Sequence, residues 1–149
     1  MNVYTAVDAG EHRVDRVALW AGMVATGLVV SLLAVLGFMV TRVLLGAAVL
    51  APRGGTAFIA TTPYQLSVAA IVATAGAGVL VQLLIYVTPR PLLFFGLISA
   101  TATGVLAIWP FTTAADGLSQ VATSAVHVSL GLAIWLLTAT VVRHAGQAP

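Results

Sequence analysis

The sequence predicts an all-α protein, an antiparallel bundle of four membrane-spanning helices forming a single domain over residues 1–149, and three observations carry that expectation. The first is composition: of 149 residues, 60% are hydrophobic and only 7% charged, with a mean hydropathy of +1.09. A water-soluble domain carries about a quarter charged residues, so this chain lacks the means to solvate a globular surface. The second is length. A helix needs about 20 apolar residues to cross the hydrocarbon, and four stretches meet that requirement: Val17–Thr41, Tyr64–Val87, Leu92–Trp109 and Ser119–Val142. The third is the turn and cap chemistry that separates them.

The first span follows Arg13 and Arg16 and resembles a secretory signal at first sight. Its apolar run to Val40 far exceeds the 7–15 residues of a signal core, and no small-x-small cleavage site follows, so it reads as retained. Val43–Ala51 is apolar but too short to span. It is expected to lie at the interface or to prolong the first helix. Thr62-Pro63-Tyr64-Gln65 puts a hydroxyl at the N-cap, proline at the first helical position and Gln three residues after the cap, a capping box. Pro89 and Pro91, bracketing Arg90, end the second helix and restart the chain. The third span is the shortest and closes at Pro110. Asp116-Gly117 turns the chain into the fourth, with Asp116 or Ser119 as its cap. Gly54-Gly55 reads as a flexible turn without a phosphate-loop pattern.

Arginine placement orients the bundle. With a cytoplasmic N-terminus, Arg13, Arg16, Arg90 and Arg143 lie inside and Arg42 and Arg53 outside, in the sense of the positive-inside rule. Both termini are then cytoplasmic, in a bacterial cytoplasmic membrane, and the longest loop, about residues 42–63, faces outward. Trp20, Tyr64, Tyr86 and Trp109 fall at span ends, where interfacial aromatics belong.

Several function classes are disfavoured. Six arginines against four acids leave a net charge of +2 with no basic stripe, so nucleic acid is not an expected partner. With no cysteine, disulfides and thiolate sites are excluded. No cluster of ligands suggests a metal, and no cofactor is expected. A second axial haem ligand is lacking, since Met23 and Met39 lie at the two ends of the first span. Ser124, Thr123 and His127 share a helix but have no oxyanion donors in view. Intramembrane carboxylates, Gly/Pro-broken helix pairs and inverted repeats, the marks of many transporters, are missing.

Each span carries small residues at helical spacing, as helix association in lipid requires: Gly22 and Thr26, with Gly27, Ser31 and Ala34 on a neighbouring face; Ser67, Ala70, Thr74 and Gly78; Gly96, Ser99 or Ala100, Thr103 and Ala107; Gln120, Thr123 or Ser124, His127 and Gly131. These stripes are expected to build the bundle and to serve as partner-facing surfaces. His127 is the one ionisable residue deep in a span, and such residues are functional-site candidates by default. At about 1.5 Å per residue it sits roughly 12 Å below the outer helix end. The same count reaches Ser31, Thr74 and Thr101–Thr103, so the expectation is a polar layer in which His127 donates to one of these hydroxyls or to a carbonyl. The plainer alternative makes His127 a hydrogen-bonding strut. In the outer loops, Asp116, Arg42 and Arg53 are candidates for capping and for contact with lipid phosphates.

The second half of the chain resembles an uncharacterised family of small four-span actinobacterial membrane proteins, domain-of-unknown-function family 6069. The resemblance rests on "LAIWPF" closing the third helix, the Thr/Ala-rich loop "TTAADGL", and the fourth helix "VATSAVHVSLGLAI", and covers about residues 70–142. The family shows Met-His-Leu where this chain has Val126-His127-Val128, and a basic cluster where it has Arg90. The resemblance implies a four-helix fold and no known activity. The sequence is read as that of a non-enzymatic accessory or scaffold subunit whose partners are the bilayer and another membrane protein or further copies of itself. The rival reading is a small-molecule, lipid/quinone or proton-handling protein, such as a transporter component, using the His127 layer. A third is a lipid-directed enzyme at the outer interface using His127 and Asp116.

Overall fold

A computed structural model describes residues 16–53 and 57–146, with side chains described for all but 52–60 within that range. The four expected helices are present: α1 (Arg16–Met39), α2 (Pro63–Val87), α3 (Pro91–Ile108) and α4 (Gly117–Ala145). All four are long and apolar enough to cross a membrane, and the boundaries match the sequence reading within a few residues. Thr62 accepts from the Gln65 N–H while the Gln65 side chain accepts from the Thr62 N–H, so the capping box forms in full. Asp116, not Ser119, caps α4 by accepting from the Ser119 N–H at 2.9 Å. That leaves the Ser119 hydroxyl free for another task.

The segment after α1 meets one of the two expectations for a few residues and then departs from both. Val40–Leu44 continues the helix as a wider π turn, with the Thr41 hydroxyl bonded back to the Gly37 and Phe38 carbonyls. The chain then turns inward instead of lying at the interface: Ala47, Val49 and Leu50 are buried. From there the long loop folds into an antiparallel hairpin, β1 (Leu50–Arg53) with β2 (Ala57–Ala60), in the register Leu50 to Ala60 and Arg53 to Ala57. The expected Gly54-Gly55 turn lies outside the described residues. A bond from the Thr61 N–H to the Val49 carbonyl extends the hairpin.

The hairpin is fastened to α4 by three bonds. The Ala48 N–H donates to Ser119 Oγ at 3.0 Å, the Leu50 N–H donates to Thr123 Oγ1 at 3.0 Å, and the Thr123 hydroxyl donates to the Ala48 carbonyl at 3.3 Å. Backbone groups with no neighbour in the hairpin thereby find partners within the protein, as the hydrocarbon boundary requires.

The helices pack in the order α2–α1–α4–α3, with α2 and α3 touching far less than the other neighbours. Small residues set the close approaches. A Cβ at Gly22 would run into Val141 of α4, and one at Gly131 would overlap the Thr103 side chain of α3. Gly78 receives Met23, and Gly96 lies beneath the Trp135 indole. The small-residue stripes are thus largely consumed inside the bundle, which corrects the expectation that they present partner-facing surfaces. Apolar side chains fill two clusters. One, nearer the hairpin, includes Val30, Ala34, Val49, Leu66 and Val126; the other, nearer the α2–α3 turn, includes Leu19, Val81, Phe95 and Val142.

Thr123→Val keeps the shape of a side chain that is fully buried but removes both its donor and its acceptor. Two backbone groups of the hairpin lose their partner, at about 1–3 kcal/mol for each buried group left unsatisfied. Thermal unfolding in detergent is expected to show a clearly lower midpoint than for the parent, with no change in helix content at low temperature.

Candidate functional site

The weak α2–α3 side of the bundle opens into a cleft of about 570 Å³, within the range of about 300–1,000 Å³ typical of small-molecule sites. It runs along α2 from Gln65 to Leu80, a length of about 22 Å at the helical rise. The α2 wall is a row of alanines, Ala69, Ala70, Ala73 and Ala77, faced by Ile98, Ser99, Ala102 and Thr103 of α3. Leu130, Gly131 and Ile134 of α4 form the floor, and His127 stands beside them. Leu80 and Phe95 close the turn end, while Leu50, Ala51, Thr61 and Gln65 roof the hairpin end. Ala69, Ala73, Ile98 and Ala102 line the cleft yet are exposed, so it opens sideways, on the face that meets lipid in a bilayer.

His127 is half-buried, and its Nδ1 is buried without a hydrogen-bond partner. The hydroxyls of Ser99 and Thr103, in the same cleft, also have no partner among the described residues. Among the described residues Ser31, Ser67 and Thr138 share that condition, whereas other hydroxyls bond within their own helix. Thr26, Thr74, Thr101, Ser129 and Thr140 each donate to the carbonyl four residues earlier in their own helix. Elsewhere, Ser124 donates to the Ala107 carbonyl of α3 at 2.7 Å. Thr138 carries the one fully buried hydroxyl without a partner among the described residues, and it does not line the cleft.

The expected polar layer is therefore corrected. Of its hydroxyls only Thr103 shares the cleft with His127. Thr74 is turned toward α1, where its methyl faces Gly27, and its hydroxyl is spent on the Ala70 carbonyl. Thr101 is exposed and bonded to the Leu97 carbonyl. Ser31 is half-buried on α1, outside the cleft lining. His127 makes no bond to any of them, so it is not a strut. Equal depth along four helices does not bring side chains to one azimuth. Ser99, one turn before Thr103 on the same face, is a cleft residue the layer reasoning omitted, although its place in the α3 stripe marks it.

Of the outer-loop candidates, Arg42 is exposed, and the side chain of Arg53 lies outside the described residues. Asp116 is exposed, occupied as the α4 cap, and away from the cleft. Its carboxyl is held below its ordinary value, first by the Ser119 backbone N–H, because that bond and the helix N-terminus both favour the anion. Among the described residues no group of three metal-ligating side chains occurs. Ser124 and Thr123 have their hydroxyls committed to the Ala107 and Ala48 carbonyls.

Fold and site together define a multi-pass membrane protein built as a four-helix bundle with a lateral, mostly apolar cleft. Comparison with protein-family models, curated proteins and solved structures gave no match.

Two outcomes follow. Because the folded-state pKa of Asp116 is depressed, its contribution to stability is present above the unfolded carboxylate value and is lost as pH falls through the folded one. The thermal midpoint should hold from pH 7 to 5 and fall below about pH 4, with a weaker fall in Asp116→Asn, whose amide oxygen keeps the cap. Gly131→Ala drives a methyl into Thr103, an overpacking worth about 1–3 kcal/mol, visible as a lowered midpoint in the same melts.

Proposed function

We propose that this protein binds one amphiphilic, lipid-like molecule, which enters sideways from the bilayer between α2 and α3. The observation that carries this reading is the open apolar cleft with an imidazole that has no partner in the protein. A polar group left unpartnered in hydrocarbon costs free energy, and a ligand that hydrogen-bonds Ser99, Thr103 or the accessible Nε2 of His127 recovers it. Intramembrane ionisable residues mark functional sites by default, and a mostly apolar cleft with a few convergent polar groups is the usual form of a binding site.

The scaffold reading drew on small-residue stripes as free surfaces, and those stripes are engaged within the bundle. The reading of an outer-interface enzyme needed Asp116 near His127, and Asp116 is spent on its cap. Binding, storage or presentation of a membrane molecule, without catalysis, fits what remains. It is compatible with an accessory subunit that hands its ligand to a neighbouring membrane protein or to a second copy. We place the hairpin outward and both termini in the cytoplasm of a bacterial membrane, on the strength of the arginines. Arg16, Arg90 and Arg143 sit at the α2–α3 turn end and Arg42 at the other. We also keep the kinship with family 6069, on the α3–α4 motifs quoted above.

Ala73 faces the cleft from the α2 wall and is exposed there, so Ala73→Phe fills the space without touching the polar side chains. Wild type and variant, purified in mild detergent, are extracted and their lipids quantified by mass spectrometry. The wild type is expected to retain about one molecule of a particular species per chain, and the variant to lose it while keeping its helix content. Equal lipid content in both would overturn the reading.

A further inference from the structure

The lining of the cleft also limits the chemistry of the molecule it takes. Resting on the ligand-binding reading above, we infer that the ligand is an uncharged, single-tailed lipid with a carbonyl group held at His127, Thr103 and Ser99, well inside the hydrocarbon.

Charge comes first. No arginine, aspartate or glutamate lines the cleft. Arg16, Arg42, Arg90, Arg143 and Asp116 all lie at or beyond helix ends, where they are exposed. An ionised headgroup at the level of His127 would face an alanine row on one side and apolar α4 residues on the other. Such a charge, unpaired in a low-dielectric setting, is among the costliest arrangements in a membrane. A phosphate or carboxylate is therefore not the group that reaches this depth.

Depth comes second. His127 is ten residues into α4, about 15 Å from the hairpin end. Gln65 and Thr61 lie near that end, about 12 Å away along the cleft, with alanines between them. Beyond His127 come Thr103, opposite Gly131, and Ser99 one turn further on, and past these the lining turns apolar through Ala77 to Leu80 and Phe95. The cleft thus has a polar stretch in its middle, from His127 to Ser99, and a greasy stretch on either side. A lipid headgroup seated at the interface uses only the Gln65 end and leaves the middle stretch unserved.

Donors come third. Ser99 and Thr103 offer two hydroxyl donors one helical turn apart on α3, and His127 adds a ring nitrogen from α4. Their partner groups in the neighbouring helices are otherwise backbone carbonyls, already used within each helix. An acceptor that carries no proton of its own, a carbonyl oxygen, satisfies such a set, and a second carbonyl on the same molecule uses both hydroxyls. The facing α2 wall bears only methyl groups at this level, a flat surface against which a ring or a chain lies equally well. The same chemistry is offered by a prenylated quinone and by a monoacylglycerol ester, and the two are separated by experiment.

The full chain, purified in mild detergent and stripped of lipid, is titrated with a short-tailed prenyl quinone, with monoolein, and with oleate at pH 9 as a charged counterpart. Binding is read from the rise in thermal midpoint, which grows with ligand concentration over dissociation constant. The expected result is saturable stabilisation by one or both uncharged carbonyl lipids and at least about tenfold weaker response to oleate. Thr103→Val, which keeps the side-chain shape against Gly131, should weaken the uncharged ligand about tenfold, the equivalent of one hydrogen bond of ~1.4 kcal/mol. His127→Leu should do the same, and Ala73→Phe should abolish the response.

Stabilisation by quinone alone or by monoolein alone supports the inference and identifies the source of the carbonyl. If oleate binds as tightly, or if Thr103→Val and His127→Leu leave binding unchanged while Ala73→Phe still blocks it, the uncharged-carbonyl inference falls and the cleft reading stands. If Ala73→Phe responds like the wild type to every lipid, or no lipid stabilises the wild type, both fall. Thr103→Val serves as the deciding variant should His127→Leu unfold.

Discussion

In hydrocarbon there is no water to complete a hydrogen bond, so each polar group of a spanning helix must find its partner inside the protein. The arrangement of this bundle follows from how that constraint is met. Thr26, Thr74, Thr101, Ser129 and Thr140 meet it locally, by donating to the carbonyl one turn earlier in their own helix. A threonine satisfied this way presents mainly its methyl to a neighbour and packs as a small apolar residue. Helix association then rests on close contact at glycines, such as Gly22 against Val141 and Gly78 against Met23. Hydrogen bonds that join different elements are reserved for a few places, and α4 holds most of them. Ser119 and Thr123 fasten the hairpin, and Ser124 fastens α3.

The side chains that escape this rule within the cleft therefore carry information. A hydroxyl that has the option of bonding its own helix and is left unpartnered costs little at the surface and more in an apolar setting. Ser99, Thr103 and His127 line one cleft, from two helices, over a length of about two helical turns. Ser31, Ser67 and Thr138, all outside the cleft, show that single hydroxyls without a partner are tolerated in the spans. Three such groups converging on a space of molecular size are better accounted for by a common acceptor than by three separate tolerated costs.

Much of the fold was legible because it is set locally. Span length, the Thr62–Gln65 capping box, the Pro89–Pro91 turn and the Asp116 cap each depend on a few neighbouring residues, and the structure reproduces them. The hairpin also had a signal, two short apolar runs flanking Gly54-Gly55. That signal is weak, because Val43–Ala51 is as apolar as the span before it and shows no strand-like alternation. The polar layer failed for a geometric reason. Counting residues gives height along a helix, whereas contact requires azimuth as well. Thr101 and Thr103 differ in height by about 3 Å but are turned about 200° apart at 3.6 residues per turn. One faces outward and the other faces Gly131. No single-sequence count separates them without knowing which side of α3 is packed, although the Gly96–Ser99–Thr103–Ala107 stripe points to the answer.

That stripe also explains why the cleft lies between α2 and α3. The two helices are joined by the three residues Thr88–Arg90, a tether that would ordinarily make them close antiparallel neighbours. Yet the packing surface of α3 is directed at α4, where Gly96 takes Trp135, Thr103 takes Gly131 and Ala107 accepts from Ser124. A helix tied to one neighbour and packed on another has to diverge from the first with distance from the tie. Phe95, fully buried near that tie, wedges the vertex. At the far end the hairpin, itself fastened to α4, roofs the opening with Leu50 and Ala51. The cleft is thus fixed at both ends by contacts independent of anything inside it. Its open side is the face toward lipid, so the ligand proposed above would reach His127 from the bilayer.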